Sequence, residues 1–377
     1  MIKYNMVDLV GQYKKIKTEV DAAVMEVMEN ASFINGPAVR KFQNHLEDYL
    51  DIKHVIPCGN GTDALQVALM ALDLQPGDEV ITTSFTFIAT AEVIALLNLT
   101  PVLVDVLPGT YNIDPAAVEK AVTDKTKAII PVHLFGQCAN MDEIMEIAQK
   151  HKLYVVEDTA QAIGADYTFK DGSVKKAGTI GNMGCTSFFP SKNLGAFGDG
   201  GAIFTNDDDL ADKLRVLVNH GMAVRYYHDY VGVNSRLDSI QAAILDIKLS
   251  HLDEYCTARF DAATYYNNAF AKTDKIETPV TASFTTHVFH QYTMVLADGV
   301  DREGLQKHLA DKGIASAVYY PVPLHLQKAY RDPRYTEGDF PVTEHLSHHV
   351  MSLPIHTEMN EEMLKEITDA VLEYVGY

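Results

Sequence analysis

The 377-residue chain has no tryptophan, and its four cysteines (Cys58, Cys138, Cys185, Cys256) are scattered without a Cys-x-x-Cys pair. That excludes a disulfide framework and a thiolate metal knuckle, and it fits reduced thiols in a cytoplasmic compartment. Positive charge is scarce: 31 Lys and Arg stand against 51 Asp and Glu, a formal net charge of −20. Such a balance argues against a nucleic-acid partner held through its phosphates, though not against a small nucleotide ligand in a local cationic pocket. Long apolar runs are missing too. The most apolar window, Phe87 to Leu107, carries Glu92, Asn98, Pro101 and Asp105 and cannot span a bilayer. Met1-Ile2-Lys3-Tyr4-Asn5 leads into a charged amphipathic stretch, so no signal peptide is expected. No repeat or low-complexity segment occurs.

What is present is an alternation of strand-like and helix-like segments. Residues 14–30 read as a helix, and Gly36-Pro37 opens a second through Phe42 and Leu46. Strands are expected at His54–Pro57, Glu79–Thr82, Pro101–Asp105, Ala128–Val132, Leu153–Glu157, Cys185–Phe189 and Ala202–Thr205. Helices fall between them at Ala64–Leu72, Ile88–Leu97 and Met141–His151, with another at Asp208–Gly221. This alternation implies an α/β fold with a mainly parallel sheet, whose ligands bind beyond the carboxyl ends of the strands. A long helix is expected from Leu237 to about residue 272. Beyond it the texture is that of a small α+β unit: strands at Gln291–Leu296 and Ala315–Tyr319, a helix at Arg302–Lys312 and a terminal helix from Glu361. The boundary is placed near residue 250, giving units 1–250 and 251–377.

Three segments carry chemistry. Lys192 lies in Ser187-Phe188-Phe189-Pro190-Ser191-Lys192-Asn193-Leu194-Gly195, a tight and partly apolar turn that lowers the cost of losing the ammonium proton. A neutral lysine amine can form a Schiff base with an aldehyde. The strand Leu153–Val156 delivers Asp158, a carboxylate suited to a pyridinium nitrogen, or alternatively a cap for the Thr159-Ala160-Gln161 turn. Together these residues suggest pyridoxal 5'-phosphate chemistry. The turn Gly59-Asn60-Gly61-Thr62-Asp63 after a strand can offer backbone N–H groups to a phosphate, or can be ordinary helix capping. Phe87 can stack on a planar ring or pack in the core.

With those residues in view, the chain resembles the DegT/DnrJ/EryC1/StrS family of nucleotide-sugar aminotransferases. The likeness rests on Gly61-Thr62-Asp63-Ala64, Glu157-Asp158-Thr159-Ala160-Gln161, Phe189-Pro190-Ser191-Lys192-Asn193-Leu194-Gly195 with Gly198-Asp199-Gly200-Gly201, and Gly232-Val233-Asn234-Ser235-Arg236-Leu237-Asp238 with Gln241-Ala242-Ala243. It implies the fold type I of pyridoxal-phosphate-dependent transferases, as in aspartate aminotransferase: a large domain with a mainly parallel mixed sheet and a small C-terminal α+β domain. It implies that Lys192 is the Schiff-base lysine, that Asp158 pairs with the ring nitrogen and Gln161 with the ring hydroxyl, and that Phe87 stacks on the ring. It further implies that Gly61, Thr62, Asp63 and Ser187 bind the phosphate. Asn234 is expected to reach the phosphate of the neighbouring subunit, which makes a homodimer with shared active sites. L-Glutamate is the implied amino donor. Relatives with histidine at the lysine position are dehydratases, and here the position is lysine.

The loop Asn193–Gly201 and the segment Arg225-Tyr226-Tyr227-His228 resemble members that aminate a C3 carbonyl, nearest to those acting on a UDP-linked 3-keto-2-acetamido-uronic acid for surface polysaccharides such as O-antigen lipopolysaccharide. Arg236 is the expected partner of the substrate carboxylate, with His325 beside it and Tyr227 also at the substrate. The alternatives are a salt bridge from Arg236 to Asp238 and an ordinary loop role for His325. A dTDP-3-keto-6-deoxyhexose is the competing substrate, and a dehydratase or a non-catalytic regulator the competing function. The cluster His345, His348, His349 has helical spacing but no visible carboxylate partner, so no metal is expected.

Overall fold

A computed structural model describes residues 2–376. In chain order the elements are α1 (Leu9–Glu29), α2 (Pro37–Leu50), β1 (His54–Cys58), α3 (Gly61–Ala71), β2 (Glu79–Thr83), α4 (Ala89–Leu96), β3 (Thr100–Val104), α5 (Pro115–Ala121), β4 (Thr126–Ile130), α6 (Met141–His151), β5 (Tyr154–Asp158), β6 (Asp166–Thr168), β7 (Val174–Lys176), β8 (Met183–Ser187), β9 (Gly201–Thr205), α7 (Asp208–Leu217), α8 (Ser239–Leu249), α9 (Leu252–Phe270), β10 (Ile276–Glu277), β11 (Tyr292–Leu296), α10 (Arg302–Asp311), α11 (Pro341–His349), β12 (Val350–Leu353) and α12 (Glu361–Val375).

Seven strands form one sheet in the order β1-β9-β8-β5-β4-β2-β3. Pairing is parallel from β8 to β3, while β9 runs antiparallel to both β8 and β1. This is a mainly parallel mixed sheet, as the sequence implied. Apolar runs such as Ala128-Ile129-Ile130 and Val155-Val156 are buried on both faces, because helices cover both sides. One face packs on α3, α4 and α7 through Leu65, Leu69, Val93 and Leu214. The other packs on α5 and α6 through Val118, Ile144 and Ile147. Beside it, α2 turns Phe42, Leu46 and Leu50 inward at helical spacing, with Pro37 at its first position. Phe42 and Leu46 are completely buried, and truncating such a phenylalanine costs about 3–5 kcal/mol.

Three features differ from the sequence reading. The long helix expected over 237–272 is two helices, α8 and α9, broken at Ser250–His251, where the Ser250 hydroxyl donates to the Ile247 carbonyl at 2.7 Å. The strand expected at Ala315–Tyr319 does not form. Its start is taken by the N-terminal segment, Lys3 and Tyr4 donating to the Gly313 carbonyl at 2.7 and 3.0 Å, and only Ala317 bridges to Ser352. The strand position goes to Val350–Leu353 instead, in a three-stranded sheet of order β10-β11-β12. Tyr4 is accordingly buried in the C-terminal core with Tyr266, Leu305 and Ile367. No helix among the described residues is long and apolar enough to cross a membrane.

Candidate active site

The antiparallel register from Cys58 to Gly201 and from Gly201 to Ser187 sets the ends of β1 and β8 in one row. The neighbouring ends of β5 and β2 deliver Asp158 and the Thr83–Phe87 turn to the same edge. This edge gathers most of the residues singled out in the sequence.

Lys192 is half-buried in the turn after β8. The turn is pinned by Lys192 N–H to the Phe189 carbonyl at 2.8 Å and Ala196 N–H to the Phe188 carbonyl at 2.7 Å. Gly195 permits it: a Cβ there would lie 2.3 Å from the Pro190 carbonyl oxygen. Removal from water lowers the Lys192 amine to about 8, against an opposing pull from the Asp158 charge.

Asp158 ends β5 and is nearly buried. Its carboxylate accepts from the Thr90 hydroxyl at 2.8 Å and from Ala160 N–H at 3.1 Å. Burial raises its proton affinity, and these two donors together with the Lys192 charge restrain the rise. Gln161 is oriented from behind: its amide oxygen accepts from Phe135 N–H at 2.7 Å, so its NH2 faces outward and donates to the Tyr320 hydroxyl at 3.1 Å. Phe87 is exposed, its ring 6.3 Å from that of Tyr320, whereas Phe85 takes the core position. Core packing is therefore not what Phe87 does.

At the other end, α3 starts at Gly61, capped by the Asn60 side chain accepting from Asp63 N–H at 2.8 Å. The first N–H groups of α3, those of Gly61 and Thr62, have no acceptor among the described residues and lie at the positive end of the helix dipole. Gly61 approaches Ser187 so closely that a Cβ would fall 2.6 Å from the Ser187 Cβ. The Asp63 carboxylate faces away from any anion: Oδ2 accepts from the Ser235 hydroxyl at 2.6 Å, and Ser235 in turn accepts from Gly59 N–H at 2.8 Å. What Asp63 offers a phosphate is thus its place in the helix start, and its side chain ties down the loop.

Four expected residues stand outside this group. Asn234 and Tyr227 are exposed on the segment 221–236, and neither hydrogen-bonds Lys192, Asp158 or Gln161. Arg236 is half-buried beside Ser235, with no ion pair to Asp238. His325 is buried, its Nε2 is 3.0 Å from Glu344 Oε1, and its ring packs edge-on to Phe340 at 4.7 Å. Its Nε2 is thus engaged by Glu344.

The sequence reading missed Thr90, Tyr320, Ser235 and the Glu157–His133 pair. His133 Nδ1 accepts from Ala139 N–H at 3.1 Å, which puts the proton on Nε2, and Nε2 donates to Glu157 Oε2 at 2.8 Å. Glu157 also accepts from the N–H groups of Gly178, Ile180 and Gly181 at 2.9, 2.7 and 2.6 Å. Both side chains are fully buried. Glu157 and Ser235 lay inside the quoted motifs and His133 just past a predicted strand, whereas Thr90 and Tyr320 had no such signal.

These residues fit a flat, anionic, phosphorylated aldehyde. The cradle between Gly61 and Ser187 would take the phosphate, Asp158 the ring nitrogen, Gln161 a ring oxygen, and Lys192 the aldehyde carbon. Over 371 residues the chain is 47 % identical to a pleiotropic regulatory protein of Geobacillus stearothermophilus, with 98 % of each covered. Over 365 residues it is 44 % identical to a UDP-2-acetamido-2-deoxy-3-oxo-D-glucuronate aminotransferase of Pseudomonas aeruginosa, covering 97 % of this chain and 98 % of that one. The crystal structure of DesV from S. venezuelae matches with a TM-score of 0.95 at 39 % identity, covering 100 % of both chains. The shared architecture is that of fold type I, and the cofactor is pyridoxal phosphate. With residues 14–372 matching its description, the chain belongs to the DegT/DnrJ/EryC1/StrS aminotransferase family.

Proposed function

We propose that this protein is a sugar-nucleotide aminotransferase that moves the amino group of L-glutamate to the C3 carbonyl of UDP-2-acetamido-2-deoxy-3-oxo-glucuronate. In this reading it serves surface-polysaccharide synthesis in the cytoplasm, as a homodimer whose Asn234 completes the partner's phosphate site, with units dividing near residue 250. One observation carries the catalytic part: the Lys192 amine, lowered to about 8, shares a desolvated strand-end pocket with Asp158. The substrate part is supported by the P. aeruginosa relative, whose name specifies that 3-oxo-uronate.

Bound pyridoxal phosphate supplies an electron sink for the bond broken at the donor's α-carbon. Lys192, neutral in a large share of molecules near pH 8, would take the α-proton of the donor in the first half-reaction and supply a proton to C3 of the sugar in the second. Asp158 keeps a proton at the ring nitrogen, and the Thr90 hydroxyl holds that carboxylate in place. Gln161 donates through the NH2 that Phe135 leaves free. The N–H groups at the start of α3 anchor the phosphate, and Phe87 covers the ring. Arg236 meets the sugar carboxylate.

A 3-keto-6-deoxyhexose is the second reading, favoured by the engagement of His325 Nε2 with Glu344, which leaves Arg236 as the one cation assigned to the carboxylate. A regulator without catalysis is suggested by the name of the G. stearothermophilus relative, and the intact Lys192–Asp158 pocket favours catalysis over it. The test has two stages. The visible absorption of cofactor-loaded protein is expected to shift on adding L-glutamate, and an unchanged spectrum removes the donor assignment. Turnover is then compared for the uronic and 6-deoxy keto-sugars in wild type and Arg236→Ala. An equal loss for both substrates removes the carboxylate role.

A further inference from the structure

The fold adds to the histidines of α11 a carboxylate that lies 47 positions away in the sequence from the first of them. His345 and His349 sit one helical turn apart, and Asp298 reaches them from the turn after β11. One ligand atom from each of the three lies within 4.8 Å of the other two. His348 is not in the set.

The hydrogen bonds fix how these groups are presented. His349 Nδ1 is 2.8 Å from the His345 carbonyl oxygen, which can only accept, so Nδ1 carries the proton. A backbone carbonyl on the far nitrogen is the partner that orients an imidazole for a metal. The lone pair of Nε2 then faces Asp298 Oδ1 at 3.1 Å. A lone pair and a carboxylate oxygen repel at that distance unless a cation, either a proton or a metal ion, lies between them. The rings of His345 and His349 stack at 4.1 Å with 20° between planes. Near-parallel rings carry their lone pairs in separate planes, so the exposed His345 side chain turns before both nitrogens bind one ion. The site also lies at the C-terminal end of α11, where the helix dipole favours positive charge.

We propose that Asp298, His345 and His349 form a binding site for one divalent transition-metal ion of the zinc type, completed by water. Two imidazoles and one carboxylate suit such an ion, with bonds of about 2.0–2.2 Å. Ligand atoms up to 4.8 Å apart have to draw in to about 3.3–3.6 Å around such an ion, and the exposed side chains of Asp298 and His345 are free to do so. The ion would tie the C-terminal end of α11 to the turn after β11. The N-terminal end of α11 is already fastened to the large sheet, where Asp105 accepts from Val342 and Thr343 N–H at 3.0 and 2.9 Å. The helix would then be held at both ends. Glu344, between them, holds His325 and accepts from Gly338 N–H at 2.8 Å.

The experiment uses the untagged, cofactor-loaded, full-length protein, stripped with chelator and titrated with ZnCl2 in a calorimeter. Wild type is compared with His345→Ala, His349→Ala, Asp298→Asn and His348→Ala. A zinc event with affinity on the order of 10 µM is expected in wild type and His348→Ala, weakened tenfold or more in His345→Ala and His349→Ala and several-fold in Asp298→Asn. Thermal melting without zinc checks that each variant is folded, and zinc is expected to raise the midpoint only where it binds. Equal zinc affinity in wild type and both alanine variants, or no binding by wild type at 100 µM zinc, would overturn the site.

Discussion

Two lysines lie on opposite sides of the turn Asn193–Ala196, and burial lowers both. Lys192, on the crevice side, falls to about 8; Lys248, on the helix side, falls to about 7. Lys248 is completely enclosed, its amine donating to the Gly195 carbonyl and lying 5.5 Å from the centre of the Phe197 ring. Lys192 keeps partial access to solvent and has Asp158 as its electrostatic neighbour. A low proton affinity is thus not what separates a reactive amine from a structural one. The difference is whether the neutral nitrogen has somewhere to go. Lys248 spends its proton on a carbonyl three residues past Lys192 and so holds the turn on which Lys192 rides.

The largest expected effect breaks the pair apart. Lys192→Ala is expected to lower turnover by roughly 10³-fold or more while changing stability by less than about 1 kcal/mol. Lys248→Ala should do the reverse, costing about 2 kcal/mol or more from the cavity and the orphaned Gly195 carbonyl. Denaturant melts and steady-state rates on both variants read this directly. Equal stability losses would erase the distinction.

The next effect is on titration. Capture of pyridoxal phosphate by cofactor-free protein should rise with pH to a plateau with a midpoint near 8, reporting the Lys192 amine. The Asp158 charge raises that midpoint, so Asp158→Asn is expected to lower it. Because the folded value lies below the unfolded 10.5, the unfolded chain holds the extra proton between about 8 and 10.5. Stability carried by this group therefore increases with pH across that window. A smaller change is expected from Thr90→Val, which removes a donor to the Asp158 carboxylate. The proton affinity of Asp158 should rise and turnover fall roughly tenfold, with the acid limb of the pH–rate profile moving upward. The smallest effect on catalysis is expected at His325. Its replacement by alanine should cost about 1–2 kcal/mol of stability through the lost Glu344 contact, and leave the preference between uronic and 6-deoxy substrates unmoved.

Much of the crevice was legible in sequence because its residues travel in short motifs at strand ends. Asp158 and Gln161 are three apart, and Ser187 and Lys192 five apart, so local reading finds them together. Thr90, Tyr320 and Glu344 were invisible for the opposite reason. Each acts across a long loop, from Thr90 to Asp158 or from Tyr320 to Gln161, and nothing in a threonine on an apolar helix announces its partner. The small sheet was misread for a related cause. Ala315–Tyr319 has strand-like composition, yet its neighbours Lys3 and Tyr4 come from the other end of the chain, which no local pattern reveals.

Glu157 and Asp158 are adjacent carboxylates on one strand, and successive side chains of a strand point to opposite faces. Glu157 shares the face of Val155 and spends its charge on three amides and His133, while Asp158 shares the face of Val156 and meets Thr90. A slip of β5 by a single residue would exchange them, setting the fully satisfied anchor where the reactive partner belongs. The amides of Gly178, Ile180 and Gly181 and the ring of His133 therefore act as a key for alignment. They admit one phase of the strand, and in doing so they decide which of two chemically similar acids faces the reaction.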